Sequence, residues 1–564
     1  MPRSMLDRGR VAELLPTPLS DERLDDLLFL SKAELEARDP TTLTLSVTPD
    51  RLDLLSEGGL ALHLQGALDA ATGLPAWAGR ASDAASASFL VDPSVEPVRP
   101  FIAGVRLSAP SDTGLDAGTL AEAIRVQEIV HATVGRDRRA ASLGVYPLER
   151  LEGPIRYALE PVGSIRFVPL DADEEVSATE FFRAHPMAAR YGALGRAGER
   201  ALTLRDRAGT VLSLPPILNS RTGGEARVGD RELLLESTGQ NERAVRESVG
   251  LLLVVFAARG WTVRPMGIVR EGGRSEDGHA WLRPRSVELP TSVLRGITGE
   301  SMSPAEVERR LARARLAPHP HSGGWRVEVP PWRPDLQTAV DLAEDVVIAA
   351  AIRAEDGLPT ASFTRGSLHP VTRFRRRTAT ALLGLGLAAP HTSVLASEAS
   401  VARLPGSNAI HLLNPVSAEY AFVRDRLLVS HLDVLARNTR HGYPQRFGEV
   451  GPVLVRDPAA EAGAVSRYHA AVIVASDTAG FAEAAGLVDY LLRGLDALAV
   501  REPAEIPGTI PGRASRARLA GEAVAELGEI HPRVLAELGV PVPVAWAEVD
   551  LDTLWMLSGR SSEP

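Results

Sequence analysis

The sequence predicts a multidomain α+β protein, and three observations carry that expectation. The chain has 564 residues, too many for a single hydrophobic core, so about three to four domains are expected. Segments with helically spaced apolar residues alternate with segments that alternate as strands do. Small or polar breaks, ASDAASASFLVDPSVEPVRP, EGGRSEDGHA and the stretch from Phe363 to His369, divide these segments into blocks and read as linkers or boundaries.

The first block, 1–80, reads as an N-terminal α/β segment. Ser20 is a candidate N-cap for a helix over DERLDDLLFLSKAELEA, TLTLSV alternates as a strand, and TPDRLDLLSEGGLALHLQGALDAATG has helix periodicity with a glycine stop. The second block, 95–270, is mixed α/β. Its strands are FIAGVRL and ELLLEST, VLSLPPILNS lies between them, and LAEAIRVQEIVHATVG and RAVRESVGLLLVVFAARG are helices. The third, 280–360, is a small winged-helix-like domain. Its helix SPAEVERRLARARL opens at Ser303 with Glu306 at capping-box spacing, and its strand WRVEVPPW is ended by prolines. The fourth, 365–560, alternates helices (VTRFRRRTATALLGLGL, AGFAEAAGLVDYLLRGLDAL) with strands (AIHLL, GPVLVR, HAAVIVA, ARLAG, AVAELGEI, WAEVDL), the pattern of an antiparallel sheet with helices on it.

Composition excludes several functions. With no cysteine, disulfides, thiolate chemistry and cysteine-ligated zinc are ruled out, which fits a cytoplasmic protein. A net charge of −10 argues against a protein that coats nucleic acid, though a local basic patch such as TRFRRRTAT (Thr372 to Thr380) is compatible with nucleic-acid phosphates, a partner or solvent. The start, MPRSMLDRGR, has no apolar run behind it. The longest such run, Val249 to Ala258, is half of what a membrane span needs, so no membrane association is expected. Lys32 is the single lysine, so a Schiff-base or phosphate-loop lysine is not expected.

One stretch concentrates charge. VEVPPWRPDLQTAVDLAEDVV, Val327 to Val347, contains Asp335, Asp341, Glu344 and Asp345, and the last three stand at i, i+3 and i+4 on one helical face. Such a set is compatible with a capped helix start, a solvated face, or a site for a hard divalent cation such as magnesium. His319 and His321 in APHPHSGG have no carboxylate or cysteine neighbour in the sequence and read as a solvated loop.

The order of these motifs resembles the phenylalanine–tRNA ligase β-subunit family, in its shorter archaeal or eukaryotic form. The segments that carry the resemblance run nearly the whole chain: TPDRLDLLSEGGLALHLQG, HATVGRDRRAASLGV, SLPPILNS, ELLLESTG, SPAEVERRLARARL with VEVPPWRPDLQTAVDLAEDV, NPVSAEYAFVRDRLL, ARNTRHGYPQRFGEVG, IPGRASR and GEIHP. The resemblance implies a β subunit that works with a catalytic α subunit in an α2β2 heterotetramer on tRNA(Phe), with ATP bound mainly by α. It implies Mg2+ at Asp335, Asp341, Glu344 and Asp345. It implies a class II synthetase-like C-terminal domain without catalysis, because the glycine-rich run ending in arginine is missing and RFGEVG lacks the arginine–acid arrangement that grips ATP. It also implies that the second block is an editing domain hydrolysing mischarged tyrosyl-tRNA(Phe), with Ser213, Asn219, Glu236, Thr238 and His131 as candidates. There Glu236 would accept the tyrosine hydroxyl, while Thr238 and Asn219 would orient the ester or a water. One departure stands out: the family commonly has G-x-H-D-L where this chain has GVYPL, with Tyr146 and Pro147. A divergent paralogue that binds a partner or a small aromatic ligand outside translation, and a stand-alone editing hydrolase, are the alternatives.

Overall fold

In the computed structural model, residues 3–78, 88–110, 114–270, 274–276, 282–299, 301–349 and 366–558 are described. The chain divides into two compact units, Met1–Leu358 and Pro359–Pro564. Most of EGGRSEDGHA and part of the Phe363 to His369 boundary lie outside the described residues.

The first unit opens with an antiparallel sheet of order β1–β3–β2, formed by β1 (Arg3–Asp7), β2 (Ala33–Arg38) and β3 (Thr42–Val47). Ser20 caps helix α1 (Asp21–Phe29) by accepting from the Arg23 N–H. The helix expected through SKAELEA stops there. Lys32 takes a positive φ of 59° and AELEAR becomes β2, because its period-two alternation fits pairing against β3. Helix α2 (Glu57–Ala67) follows a short 3-10 turn.

The second block holds two sheets. The first runs β10–β9–β8–β7–β4–β13–β14, from β4 (Ser88–Val91), β7 (Ile155–Pro161), β8 (Arg200–Arg205), β9 (Val211–Leu214), β10 (Leu218–Asn219), β13 (Gly267–Arg270) and β14 (Arg274–Glu276). SFLV, expected to be linker, is thus a strand, and it pairs in parallel with both β7 and β13. The second sheet has order β12–β5–β11–β6, all antiparallel, from β5 (Phe101–Ser108), β6 (Ala141–Pro147), β11 (Glu232–Gly239) and β12 (Thr262–Pro265). Helices α3 (Ala117–Ala132) and α4 (Glu242–Ala257) pack on one another and on this sheet. Helix α4 is apolar nearly all round because it also packs against α2, where Gly58 lets the backbones meet: a Cβ there would lie 2.8 Å from the Val254 carbonyl oxygen. One apolar core runs from Leu6 and Leu64 past Phe89 and Leu235 to Val254 and Trp332, so the N-terminal sheet and the second block are packed as one body.

A smaller core, built on Leu289, Leu311, Trp325, Val327 and Leu342, lies between a three-stranded antiparallel sheet and three helices. The strands are β15 (Arg285–Pro290), β16 (Ala317–His321) and β17 (Gly324–Val329), with β17 central. The helices are α5 (Thr291–Thr298), α6 (Pro304–Arg313) and α7 (Ala339–Ala349). Ser303 caps α6 through the Glu306 N–H, but the Glu306 carboxylate turns to Arg309 and Arg310, so the reciprocal half of the expected capping box is not made.

The second unit is a six-stranded antiparallel sheet of order β18–β19–β23–β22–β21–β20. Its strands are β18 (Gln445–Arg456), β19 (Ala464–Ala475), β20 (Val500–Pro503), β21 (Thr509–Leu519), β22 (Glu522–Ile530) and β23 (Val544–Asp550). Alternation in HAAVIVA sends Ala470, Val472 and Val474 to a core shared with helices Pro370–Gly384 and Phe481–Gly494, and Ile473 and Ala475 to the opposite face beneath helix Leu427–Arg437. AIHLL, expected as a full strand, pairs only over Ile410–His411.

Candidate functional site

Strands β6 and β11 build the wall of a cavity of about 440 Å3 in the first unit. The register sets Gly144 beside Glu236 and Tyr146 beside Leu234. Because side chains alternate, Gly144 and Tyr146 share a face with Glu236. The Tyr146 ring folds back over Gly144, where a Cβ would stand 2.2 Å from its hydroxyl oxygen. That hydroxyl donates to Glu236 Oε1 at 2.8 Å and lies 3.0 Å from Ser213 Oγ. The opposite side of the cavity comes from VLSLPPILNS, which contributes Ser213 and Asn219 around a cis Pro215–Pro216 peptide, and from α3, which contributes His131.

Four of the five sequence candidates, His131, Ser213, Asn219 and Glu236, therefore line one cavity. Thr238 does not. It lies on the same face of β11 as Glu236 but is fully buried away from the cavity, with its hydroxyl 3.3 Å from Ser142 Oγ and its carbonyl accepting from Arg99. His131 is not placed as a free base. Its Nε2 accepts from the Leu143 N–H at 2.9 Å, which leaves the proton on Nδ1, 3.2 Å from Glu128. Burial holds its pKa below the ordinary histidine value, against the opposing pull of Glu128. Asn219 donates to the Gly224 carbonyl at 3.1 Å.

Glu236 sets the electrostatics. Burial pushes its pKa up to about 8, against the Tyr146 hydrogen bond and the charge of Arg99, so it is largely protonated at neutral pH. Its second oxygen, Oε2, is buried without a hydrogen-bond partner. Burial, and then the Glu236 charge, raise the Tyr146 phenol well above its usual value, so it stays neutral. Sequence reading missed Arg99 because it falls in a segment taken as linker. It is a fully buried cation bonded to the Arg138 and Thr238 carbonyls and to Ser142 Oγ.

The four acids of the opening of α7 divide among three roles. Asp335 and Asp345 flank the Arg333 guanidinium, with contacts of 2.7 and 2.8 Å, and all three side chains are at most 5% exposed. Burial opposes the charge of Asp335, but Arg333 outweighs it and holds the carboxyl below its ordinary value; burial pushes Asp345 up. Asp341 Oδ2 accepts from the Gln337 and Thr338 N–H groups and the Thr338 hydroxyl, a helix-start cap. Glu344 pairs with Lys32 at 2.8 Å, and Lys32 also pairs with Asp50. The acids thus already have protein partners, and among the described residues no group of three or more acidic or histidine side chains is placed to hold a metal ion. As arranged, they do not fit a bound Mg2+. A second buried pair, Arg51 with Asp53, is close enough to act on Arg333 and Asp335, which ties the TPDRLD segment to the small three-helix domain.

The histidines of APHPHSGG gain acids that sequence could not show: His321 lies 2.8 Å from Glu288 across the sheet, and His319 lies 3.5 Å from Glu328. In TRFRRRTAT, Arg375 and Arg377 pair with Asp552 and Asp496 of their own unit, while Arg373 and Arg376 are exposed. Among the described residues, no helix is long and apolar enough to cross a membrane.

Comparison with known proteins fits this geometry. Residues 287–350 match the family described as tRNA synthetase B5 domain, and residues 355–551 match the Phenylalanyl tRNA synthetase beta chain CLM domain. These matches define the class as a subunit of an aminoacyl-tRNA synthetase. The phenylalanine–tRNA ligase β subunit of Korarchaeum cryptofilum is 31% identical over 547 residues, which cover 96% of this chain and 97% of the relative. That of Halorubrum lacusprofundi is 30% identical, with coverage of 95% and 97%. A crystal structure of an N-terminal fragment of the β subunit from Pyrococcus horikoshii superposes with a TM-score of 0.57 at 25% identity, covering 62% of this chain and all of that one. The chain belongs to the phenylalanine–tRNA ligase β-subunit family.

Proposed function

We propose that this chain is the β subunit of a phenylalanine–tRNA ligase and supports ATP-dependent attachment of phenylalanine to tRNA(Phe) with a catalytic α subunit. The observation that carries this reading is the end-to-end match to named β subunits, 31% identical over 97% of one relative's length. In this reading the protein is cytoplasmic, the assembly is an α2β2 heterotetramer that uses Mg2+ and ATP, and ATP is bound mainly by the α subunit. The segments 1–80, 95–270, 280–360 and 365–560 are respectively an N-terminal segment, an editing-like domain, a winged-helix-like domain and a class II-like domain that has lost catalysis. In support of that loss, Arg424, fully buried in the last domain, is spent inside the protein. It bonds to Thr392, Ser430 and the Pro452 carbonyl, and it lies 3.4 Å from Glu449 of RFGEVG. An arginine so enclosed holds loops together rather than gripping a nucleotide.

The test is charging of tRNA(Phe) with phenylalanine by α alone, by this chain alone and by the co-expressed pair, with and without Mg2+. Charging that requires both chains supports the reading. Full-rate charging by α alone, or a stable pair that does not charge, defeats it.

The cavity supports a second activity on the same chain, hydrolysis of a mischarged aminoacyl ester. Ser213, Asn219, Glu236 and His131 surround a space large enough for an aromatic amino acid. His131, with both nitrogens engaged, positions the wall, and Asn219 and Glu236 are the groups left to orient an ester or its side chain. Deacylation of tyrosyl-tRNA(Phe) above the buffer rate, reduced in Glu236→Ala, supports this activity; a rate equal to buffer removes it.

A further inference from the structure

We infer that Tyr146 determines what the cavity recognises: its phenol, held between Ser213 and Glu236, takes from within the hydrogen-bonding position that an incoming para-hydroxyl would need. The cavity then accepts an aromatic side chain without selecting for that hydroxyl. This rests on the reading of the cavity as an amino-acid site.

Three observations carry it. Tyr146 is 1% exposed and yet borders the cavity, so its ring is part of the wall and not of a distant core. Its hydroxyl engages two polar groups of the wall, Glu236 Oε1 at 2.8 Å and Ser213 Oγ at 3.0 Å. The ring reaches them only because Gly144 has no side chain: a Cβ at that position would stand 2.2 Å from the Tyr146 oxygen and 2.8 Å from Glu236 Oε1. The arrangement matches what a bound tyrosine would need, supplied by the protein itself. Strong rejection of an analogue that lacks a hydroxyl depends on site groups left unpaired by that analogue. Here Ser213 Oγ and Glu236 Oε1 stay paired whatever enters, and Glu236 Oε2 remains as a buried carboxyl oxygen without a partner. A cavity that does not favour tyrosine over phenylalanine cannot clear tyrosyl-tRNA without also attacking the correct product, so any hydrolysis by this chain does not select for tyrosine.

The test uses the α/β holoenzyme with its synthetic site filled by a non-hydrolysable phenylalanyl adenylate, so that added amino acid reports on this cavity. Binding of L-tyrosine and of L-phenylalanine is measured by calorimetry for the wild type, Tyr146→Phe and Tyr146→His. The expected result is a tyrosine-to-phenylalanine affinity ratio within about threefold in the wild type, since one hydrogen bond gained or lost moves binding by roughly tenfold. In at least one variant, tyrosine affinity rises tenfold or more with phenylalanine unchanged within threefold, and adding Glu236→Ala, which removes the carboxyl, cancels that gain. Tyr146→Phe keeps the ring and guards against misfolding as the cause of any change. A wild-type preference for tyrosine of tenfold or more overturns the inference, as does the absence of any tyrosine gain in both variants. Deacylation of tyrosyl- and phenylalanyl-tRNA(Phe) by the same proteins is measured separately. If no variant hydrolyses either ester, the hydrolytic reading of the cavity fails, while the binding ratio still decides the role of Tyr146.

Discussion

Replacing Arg333 by methionine removes the cation that pairs directly with both Asp335 and Asp345. The two carboxylates are 5% and 4% exposed, so neither can turn to solvent in place. Breaking a buried ion pair from one side costs about 3–5 kcal/mol, because a charge is left without its partner. Arg51 stays nearby and acts on Asp335 and Asp345, which puts the expected loss at the lower end, about 3 kcal/mol. A chain with several packed domains does not unfold in two states, so a global melt is the wrong measure. Hydrogen exchange over α7 reads the local opening instead. About 3 kcal/mol corresponds to exchange faster by roughly a hundredfold. Trp332, packed against Trp77 with ring centroids 4.6 Å apart and the planes tilted by 40°, gives an independent fluorescence signal for the same opening. Adding Asp345→Asn neutralises the carboxyl that burial already pushes towards its protonated form, and about half of the lost protection returns. Exchange of α7 in Arg333→Met within threefold of wild type would refute the claim that this guanidinium, and not the helix cap at Asp341, fixes the acidic segment.

Two further outcomes follow from the cavity wall. The Glu236 carboxyl titrates near 8 in the folded chain, against an unfolded value of about 4.5, so the native state holds more protons than the unfolded state between those limits. Stability contributed by the protonated group is therefore lost as pH rises through that window. Protection of β6 and β11 falls by about 3 kcal/mol between pH 6 and pH 9, and Glu236→Gln flattens the profile; a wild-type profile already flat over that range contradicts it. Gly144→Ala drives a methyl group into the pinned Tyr146 hydroxyl, with an expected destabilisation of about 1–3 kcal/mol seen as faster exchange of the same strands. Gly144→Ala in the Tyr146→Phe background costs less, because the nearest atom that it strikes is gone, although the ring Cζ at 2.6 Å and Glu236 Oε1 at 2.8 Å remain.

Much of this was legible in the sequence, for physical reasons that differ from place to place. The apolar strand runs HAAVIVA and ELLLEST and the apolar helix of Val249 are legible because each is a continuous apolar stretch and is buried almost throughout. SKAELEA misled because it reads as helix in propensity, while its actual neighbour, β3, lies later in the chain and decides its conformation. SFLV was taken for linker because it is short and flanked by small residues; its parallel partners are far away in sequence. The four cavity residues could be named from motif order, but Thr238 and Glu236 are two apart on one strand, and only the depth of the wall separates them. The acids of α7 were legible as a set and not as an arrangement. Their partners, Arg333 two residues away and Lys32 some three hundred residues earlier, emerge only once the chain is folded.

The placement of β4 has a consequence for how the protein is made. Residues Ser88–Val91 are held in parallel between Ile155–Tyr157 and Gly267–Arg270, so the sheet cannot close when its first strand leaves the ribosome. Roughly 180 further residues must be synthesised before the pairing of Ser88 with Gly267 is possible, which at about 5–20 residues per second is on the order of 10–35 seconds. Throughout that interval one edge of β4 stays unpaired, and an open strand edge invites pairing with other chains. The stage of synthesis at which this chain most needs a chaperone therefore ends when Gly267–Arg270 emerges.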